Sequence, residues 1–169
     1  MLGGCFVSIG RPEMAIVNYQ KALELEPEYA IPKHMLNSLT GYTSKEPPKQ
    51  YVKNLFDDYA YRFNDALVNN LQYNLPFIIK ELILKSNSKK SQYKNVIDLG
   101  CGTGLAGKDL RDISGNLTGV DISENMVSEA KKLDIYDKLI VGDIAENLKT
   151  SQDKFDLFVA LDVLIYIGD

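Results

Sequence analysis

The chain has 169 residues, 45% hydrophobic and 25% charged, which suits a globular protein with one domain, or a small domain plus part of another. The net charge is −4, and lysines and arginines are scattered except between Lys85 and Lys94, so no basic face points to a nucleic-acid partner. No apolar run approaches the ~18 residues of a membrane span, and no basic segment with an apolar stretch and cleavage site opens the chain, so the expectation is a cytoplasmic protein with no membrane partner.

The first block, residues 1–43, reads as helical. Pro12 sits at a first helical turn, and Ala15, Tyr19, Ala22 and Leu23 share a face until Pro27 ends the helix; a second helix runs from near Glu28 to about Gly41. With Gly3 and Gly10 at the matching offsets, Ala15, Tyr19, Ala22 and Pro27 resemble a tetratricopeptide repeat. Met1 falls inside that repeat's first helix, and Lys49, Lys53 and Phe56 stand where a second repeat needs alanine, an aromatic and alanine. The resemblance implies one truncated repeat with a capping helix and a protein partner for it; a plain helical hairpin is the alternative. Lone His34 has no companion at metal-ligand spacing, and Cys5 and Cys101 make neither a disulfide framework nor a zinc site, so no metal is expected.

Residues 44–49 read as a linker around Pro47 and Pro48. Residues 50–92 form a helical lead-in, with Phe56, Tyr59 and Phe63 on one face and Pro76 opening its last helix. These aromatics pack in a core or form a lid.

Residues 93–169 alternate strands and helices, which predicts an α/β fold with a Rossmann-like parallel sheet. Strands are expected at Asn95–Leu99, Leu117–Val120, Lys138–Val141 and Phe155–Leu161, and helices at Leu105–Ile113, Glu124–Leu133 and after Ile144. Right-handed crossovers bring the carboxyl ends of such strands to one edge, where ligands bind.

The first strand feeds Asp98-Leu99-Gly100-Cys101-Gly102-Thr103-Gly104 and then a helix. Alternate glycines let a ligand approach the backbone, and a helix start adds unpaired amides. Three ligand classes use such loops. A dinucleotide site wants a third glycine where Leu105 stands. Gly102 to Lys108 matches a nucleotide-phosphate loop, but Asp109 replaces the required hydroxyl residue.

The third class is carried by Asp98, Gly100, Gly102 and Gly104, which resemble the first signature of class I S-adenosylmethionine-dependent methyltransferases. The resemblance implies that the turn, with Cys101 and Thr103, wraps the methionine moiety and that Asp98 orients it. A carboxylate is awkward beside a pyrophosphate but suits a cofactor with an ammonium and a sulfonium. Asp121, 17 residues after Gly104, ends the second strand and can accept from both ribose hydroxyls, with Ile122 beside it. By the same resemblance Met126 lies near the adenine, Asp143 accepts from its amino group and Ile144 packs on the ring. Leu161 ends the fourth strand at the methyl-donor end, and Asp162 and Tyr166 are the nearby candidates for a base.

The joined blocks are similar to bacterial-type methyltransferases with tetratricopeptide repeats ahead of the catalytic domain. The match lies in Phe56-Asp57, Tyr59-Ala60 and residues 162–169, with Asn64 where aspartate is usual. That family's sheet has seven strands, and this chain stops after the fourth. A fragment is therefore expected, with the fourth strand poorly covered and the isolated chain binding cofactor weakly without turnover. Asn-Pro-Pro-Tyr, the signature for amide-type nitrogens, is absent, which favours a small-molecule acceptor. The alternatives are a non-catalytic ligand-binding or scaffold module and an NAD(P)-dependent oxidoreductase.

Overall fold

The computed structural model describes residues 2–42, 46–86 and 92–167. The chain divides into two compact units, one holding residues up to Val52 and the other running Lys53–Ile167. The boundary lies inside a helix, three residues past the linker expected at 44–49. Lys49 of that linker is already helical, and Ser44 and Lys45 lie outside the described residues.

The first unit contains helices α1 (Leu2–Ser8), α2 (Pro12–Leu25) and α3 (Ala30–Thr40), with α2 packed against both neighbours. Pro12 occupies the first turn of α2, where its missing N–H costs nothing. Ala15 and Tyr19 are fully buried, and a Cβ on Gly3 would lie 2.6 Å from the Tyr19 ring, so α1 has to present a glycine there. His34 stacks at a tilt on Tyr51, with ring centroids 4.9 Å apart, which gives it a packing role.

The second unit opens with most of α4 (Lys49–Asn64), which continues into π-helical turns at Asp65–Asn70, and then α5 (Leu75–Ser86). Strands β1 (Tyr93–Leu99), β2 (Ser114–Asp121), β3 (Lys138–Val141) and β4 (Leu157–Ala160) form one parallel sheet in the order β3-β2-β1-β4. Helices α6 (Leu105–Leu110), α7 (Glu124–Lys131) and α8 (Ile144–Thr150) connect them. Alternation sorts β1 cleanly. Val96 points to a core of Leu110, Ile113, Leu117 and Val159, joined by Ile83 and Leu84 of α5, while Ile97 and Leu99 face Val120, Ile140 and Ile144.

Three expected strand starts shift, each for a polar reason, while β4 ends one residue early at Ala160 and α6 and α7 stop at Leu110 and Lys131, short of the expected Ile113 and Leu133. β2 starts at Ser114 because Arg111 holds the carbonyls of Ser114 and Gly115 and the Ser114 hydroxyl bonds back to Leu110. β1 reaches back to Tyr93 because the Asn116 side-chain amide donates to Asn95 Oδ1, so the polar residues bridge the strands. β4 starts later, at Leu157, because Asp156 and Lys154 bind the backbone and side chain of Asn95 without extending the ladder. β4 is also better covered than expected: Val159 is buried and Leu157 and Leu161 pack on the core, leaving Phe158 as the strand's one large exposed apolar side chain.

Candidate functional site

The parallel sheet brings Leu99, Asp121, Val141 and Ala160 to one edge, the carboxyl edge where ligands of open α/β sheets bind. Between β1 and α6 the chain turns through Gly100, Gly102 and Gly104 with φ of +73°, +52° and +87°, a left-handed region that side chains disfavour. Gly100 and Cys101 both donate their amides to Val120 O, at 2.8 and 3.0 Å, fastening the turn to β2. A ligand therefore meets a backbone surface fixed before it arrives.

Two carboxylates flank this turn. Asp121 accepts from Gly102 N on Oδ2 and from Ser123 N on Oδ1, both at 2.9 Å. Each oxygen keeps a second lone pair for a ligand hydroxyl. Burial pushes its carboxyl above the usual range, against the amide hydrogen bonds that favour its charge. Asp98 is 1% exposed and takes a 2.7 Å hydrogen bond from the Tyr136 hydroxyl. Burial raises its carboxyl to about 7 despite that bond, and nearby Asp121 adds to the rise.

The other expected residues are distributed as follows. Thr103 is buried, and its hydroxyl donates to Asn64 Oδ1. Cys101 is buried against Gly119, so what it offers a ligand is backbone. Ile122 is half-buried at the rim, and Met126 is fully buried under the start of α7, whose first turn the Ser123 hydroxyl caps at 3.1 Å. Asp143 caps α8 by accepting from Glu146 N at 2.9 Å, and half-buried Ile144 packs on the Ile97–Val120 core. Leu161 packs on the opposite core. Asp162 has a positive φ of +53° and accepts from the Tyr73 hydroxyl at 2.6 Å, while Tyr166 meets the Phe56 ring edge-on at 5.1 Å.

Three residues outside the expected set tie the lead-in to this edge, and a fourth supports the turn from below. Asp57 accepts from the Ser123 hydroxyl at 2.6 Å and from Asn125 N at 3.3 Å, and its own carbonyl accepts from the Asn125 side chain. Burial raises the Asp57 carboxyl, but hydrogen bonds from Lys53, Ser123 and Asn125 outweigh that and hold it below the usual range. Asn64 and Tyr73 reach the β1 and β4 loops, and Phe63 lies 3.9 Å from where a Cβ on Gly102 would stand. Tyr136 completes the set from below the turn. The aromatics Phe56, Tyr59 and Phe63 pack edge to face on one another. Only helical spacing hinted at this; the partners lie 39 to 89 residues away.

The donor set has a definite chemical preference. From Val96 to Gly107 and from Leu117 to Ala130 there is no lysine or arginine, while Asp98 and Asp121 both border the turn. That fits a ligand bearing hydroxyls and positive charge better than a pyrophosphate. Among the described residues no cluster of three metal-ligating side chains forms, and no helix is long and apolar enough to cross a membrane.

Comparison with known proteins agrees. Residues 96–169 match the family model described as a methyltransferase domain. The ubiquinone biosynthesis O-methyltransferase of Coxiella burnetii is 30% identical over 99 residues, covering 56% of this chain and 39% of that protein. The 18S rRNA (guanine-N(7))-methyltransferase of Bos taurus is 32% identical over 72 residues, covering 43% of this chain and 26% of that one. The solved structure of magnesium protoporphyrin IX methyltransferase from Synechocystis PCC 6803 with bound SAM is similar in fold, with a TM-score of 0.54 at 23% identity over 73% of this chain and 64% of that one. The chain spans less than half the length of the curated relatives it matches. From Val96 onward the chain is thus similar in sequence to a methyltransferase domain.

Proposed function

We propose that this chain binds S-adenosylmethionine across the carboxyl ends of β1, β2 and β3, and that the activity it serves is methyl transfer to a small-molecule acceptor. The observation that carries this reading is the pair Asp98 and Asp121 flanking a positive-φ glycine turn with no basic residue beside it. Asp121 takes the ribose hydroxyls and Asp98 favours the cationic methionine end. Asp143, Ile122, Met126 and Ile144 frame the adenine. Cys101, Thr103 and the glycines shape the floor, and Leu161 closes it near β4.

When bound, the cofactor supplies an electrophilic methyl on a sulfonium. The protein's part is alignment and exclusion of water. Phe56, Phe63 and Tyr166 provide apolar cover on the side of β1 and β4. An acceptor that loses a proton hands it to Asp162 or Tyr166; of the two, Asp162 is held in place by Tyr73. The names of the Coxiella and Synechocystis proteins support a small-molecule acceptor, and the net charge of −4 weighs against the nucleic-acid acceptor named for the bovine relative.

For the first unit, the burial of Ala15 and Tyr19 and the close approach of Gly3 to the Tyr19 ring support a tetratricopeptide-like hairpin that docks a protein partner.

Calorimetric titration with S-adenosylmethionine, NADH and ATP tests the ligand class. The expected result is saturable binding of the first alone, weakened at least tenfold by Asp121→Ala. Binding of NADH alone would favour the oxidoreductase reading, and binding of S-adenosylmethionine unaffected by Asp121→Ala would move the site elsewhere.

A further inference from the structure

Asp98 and its partner Tyr136 occupy an unusual piece of construction. In the sheet register Asp98 lies beside Gly119 of β2, which lies beside Leu139 of β3. In a parallel sheet these residues share a face, so the glycine leaves a slot between the aspartate and the leucine. The Tyr136 ring fills that slot. A Cβ on Gly119 would lie 2.9 Å from Tyr136 Cε1, one on Gly104 would lie 3.2 Å from Cε2, and one on Gly107 would run into the hydroxyl. The tyrosine thus lies against three glycines, in β2, in the turn and in α6; at Gly107 it is the sole close neighbour, while Leu139 and Cys101 share the space at Gly119 and Leu133 shares it at Gly104.

The tyrosine is also braced on both sides. Arg111 donates to the carbonyl of Ile135 at 2.9 Å and to Asp137 Oδ2 at 2.7 Å. That same Asp137 oxygen accepts from Leu117 N at 2.7 Å, and Asp137 N donates to Leu117 O at 2.9 Å. Tyr136 is therefore clamped to β2 and to the end of α6 by its neighbours. Its hydroxyl ends 2.7 Å from Asp98 with little freedom to turn away.

We propose that Tyr136 is a positioning residue for the cofactor: from beneath the glycine turn it holds Asp98 as a carboxylate, ready for a cationic ligand. This rests on the reading of the site as one for S-adenosylmethionine. The physical logic is a balance. Burial penalises charge on Asp98, Asp121 repels it, and the Tyr136 hydroxyl is the group that favours it; Cys101 and Tyr73 are the other titratable groups facing it. With its ordinary titration lifted to about 7, the side chain stands where loss of one hydrogen bond changes its charge at neutral pH. Removing the hydroxyl takes away the favourable contribution and leaves the unfavourable ones.

Two measurements on the full chain test this. In the first, ¹³C-carboxyl NMR follows the titration of Asp98 without ligand in the wild type, in Tyr136→Phe and in Gly107→Ala, which keeps the tyrosine but displaces its hydroxyl. Both variants should titrate at higher pH than the wild type. In the second, S-adenosylmethionine affinity is measured from pH 6 to 9. The ligand's own amino group titrates in that span for every protein alike, so the readout is the ratio of wild-type to variant affinity.

That ratio should be largest at the acid end of the span, where it approaches about tenfold per unit of upward shift, and should shrink as pH rises and the variant's carboxyl ionises. A tyrosine that only fills space would give an unmoved Asp98 titration and a ratio flat with pH, and either result overturns the proposal. If the wild type binds no S-adenosylmethionine at any pH, the cofactor reading fails, while the carboxyl titration still decides whether Tyr136 controls Asp98.

Discussion

At Gly100 the backbone stands at φ +73°, and a Cβ there would run into the Val163 side chain. Gly100→Ala therefore carries both conformational strain and a clash, and should cost about 1–3 kcal/mol of stability, read as a lower urea midpoint. The two acids beside the turn give a pH signature. Asp98 and Asp121 both titrate above the ordinary carboxylate range when folded, so below their folded values the native chain holds protons that the unfolded chain has released. Stability of the ligand-free protein should thus fall as pH rises from about 4 to about 7. Asp57 and Asp137 are lowered, so their contribution is present above the ordinary carboxylate value and is lost as pH falls through their folded values. Asp98→Asn should flatten the decline toward neutrality while weakening S-adenosylmethionine binding. Urea unfolding at pH 4.5 and 7.5 checks this, and an equal pH trend in variant and wild type would contradict it.

Among the elements, α4 does more than its sequence announces. Asp57 joins it to the start of α7 and Asn64 joins it to the glycine turn. Asp57→Ala leaves the Ser123 hydroxyl and the Asn125 amide without that acceptor, and should cost about 1–3 kcal/mol. Faster hydrogen exchange should follow in residues 53–64 and 123–127. The Lys53–Asp57 pair is partly exposed, its lysine more than its aspartate, so Lys53→Met should cost about 1 kcal/mol or less.

The contrast between the two kinds of feature explains what the sequence could show. The strands of the sheet, the glycine turn and the acids at Asp121 and Asp143 follow from local patterns: alternation, a turn that needs glycine, a cap before a helix. The roles of Asp57, Asn64, Tyr73 and Tyr136 come from partners 38 to 89 residues away and carry no local signal. Tyr136 is the sharpest case. In sequence it is an aromatic between a helix and a strand, and only the register of Asp98 with Gly119 shows the slot it fills.

Across the molecule, β4 pairs with β1 on one side and stands at the end of the sheet, with Phe158 54% exposed and Leu164 and Ile165 at 63% and 75% nearby. Apolar surface beside a strand edge favours association. Sedimentation should show mass rising with concentration, and Phe158→Lys should suppress it; a wild type that stays monomeric across the range would contradict the expectation. The claim on which the rest depends is that the carboxyl edge of β1, β2 and β3 is one cofactor site. The direct measurement is an ¹H–¹⁵N spectrum of the chain titrated with S-adenosylmethionine. The amides of Gly102, Thr103, Gly104, Ile122 and Ile144 should shift together along one binding curve, while those of α2 and α3 stay fixed. If those amides do not move at saturating ligand, or move on separate curves, the site is not where the glycine turn and its two acids place it.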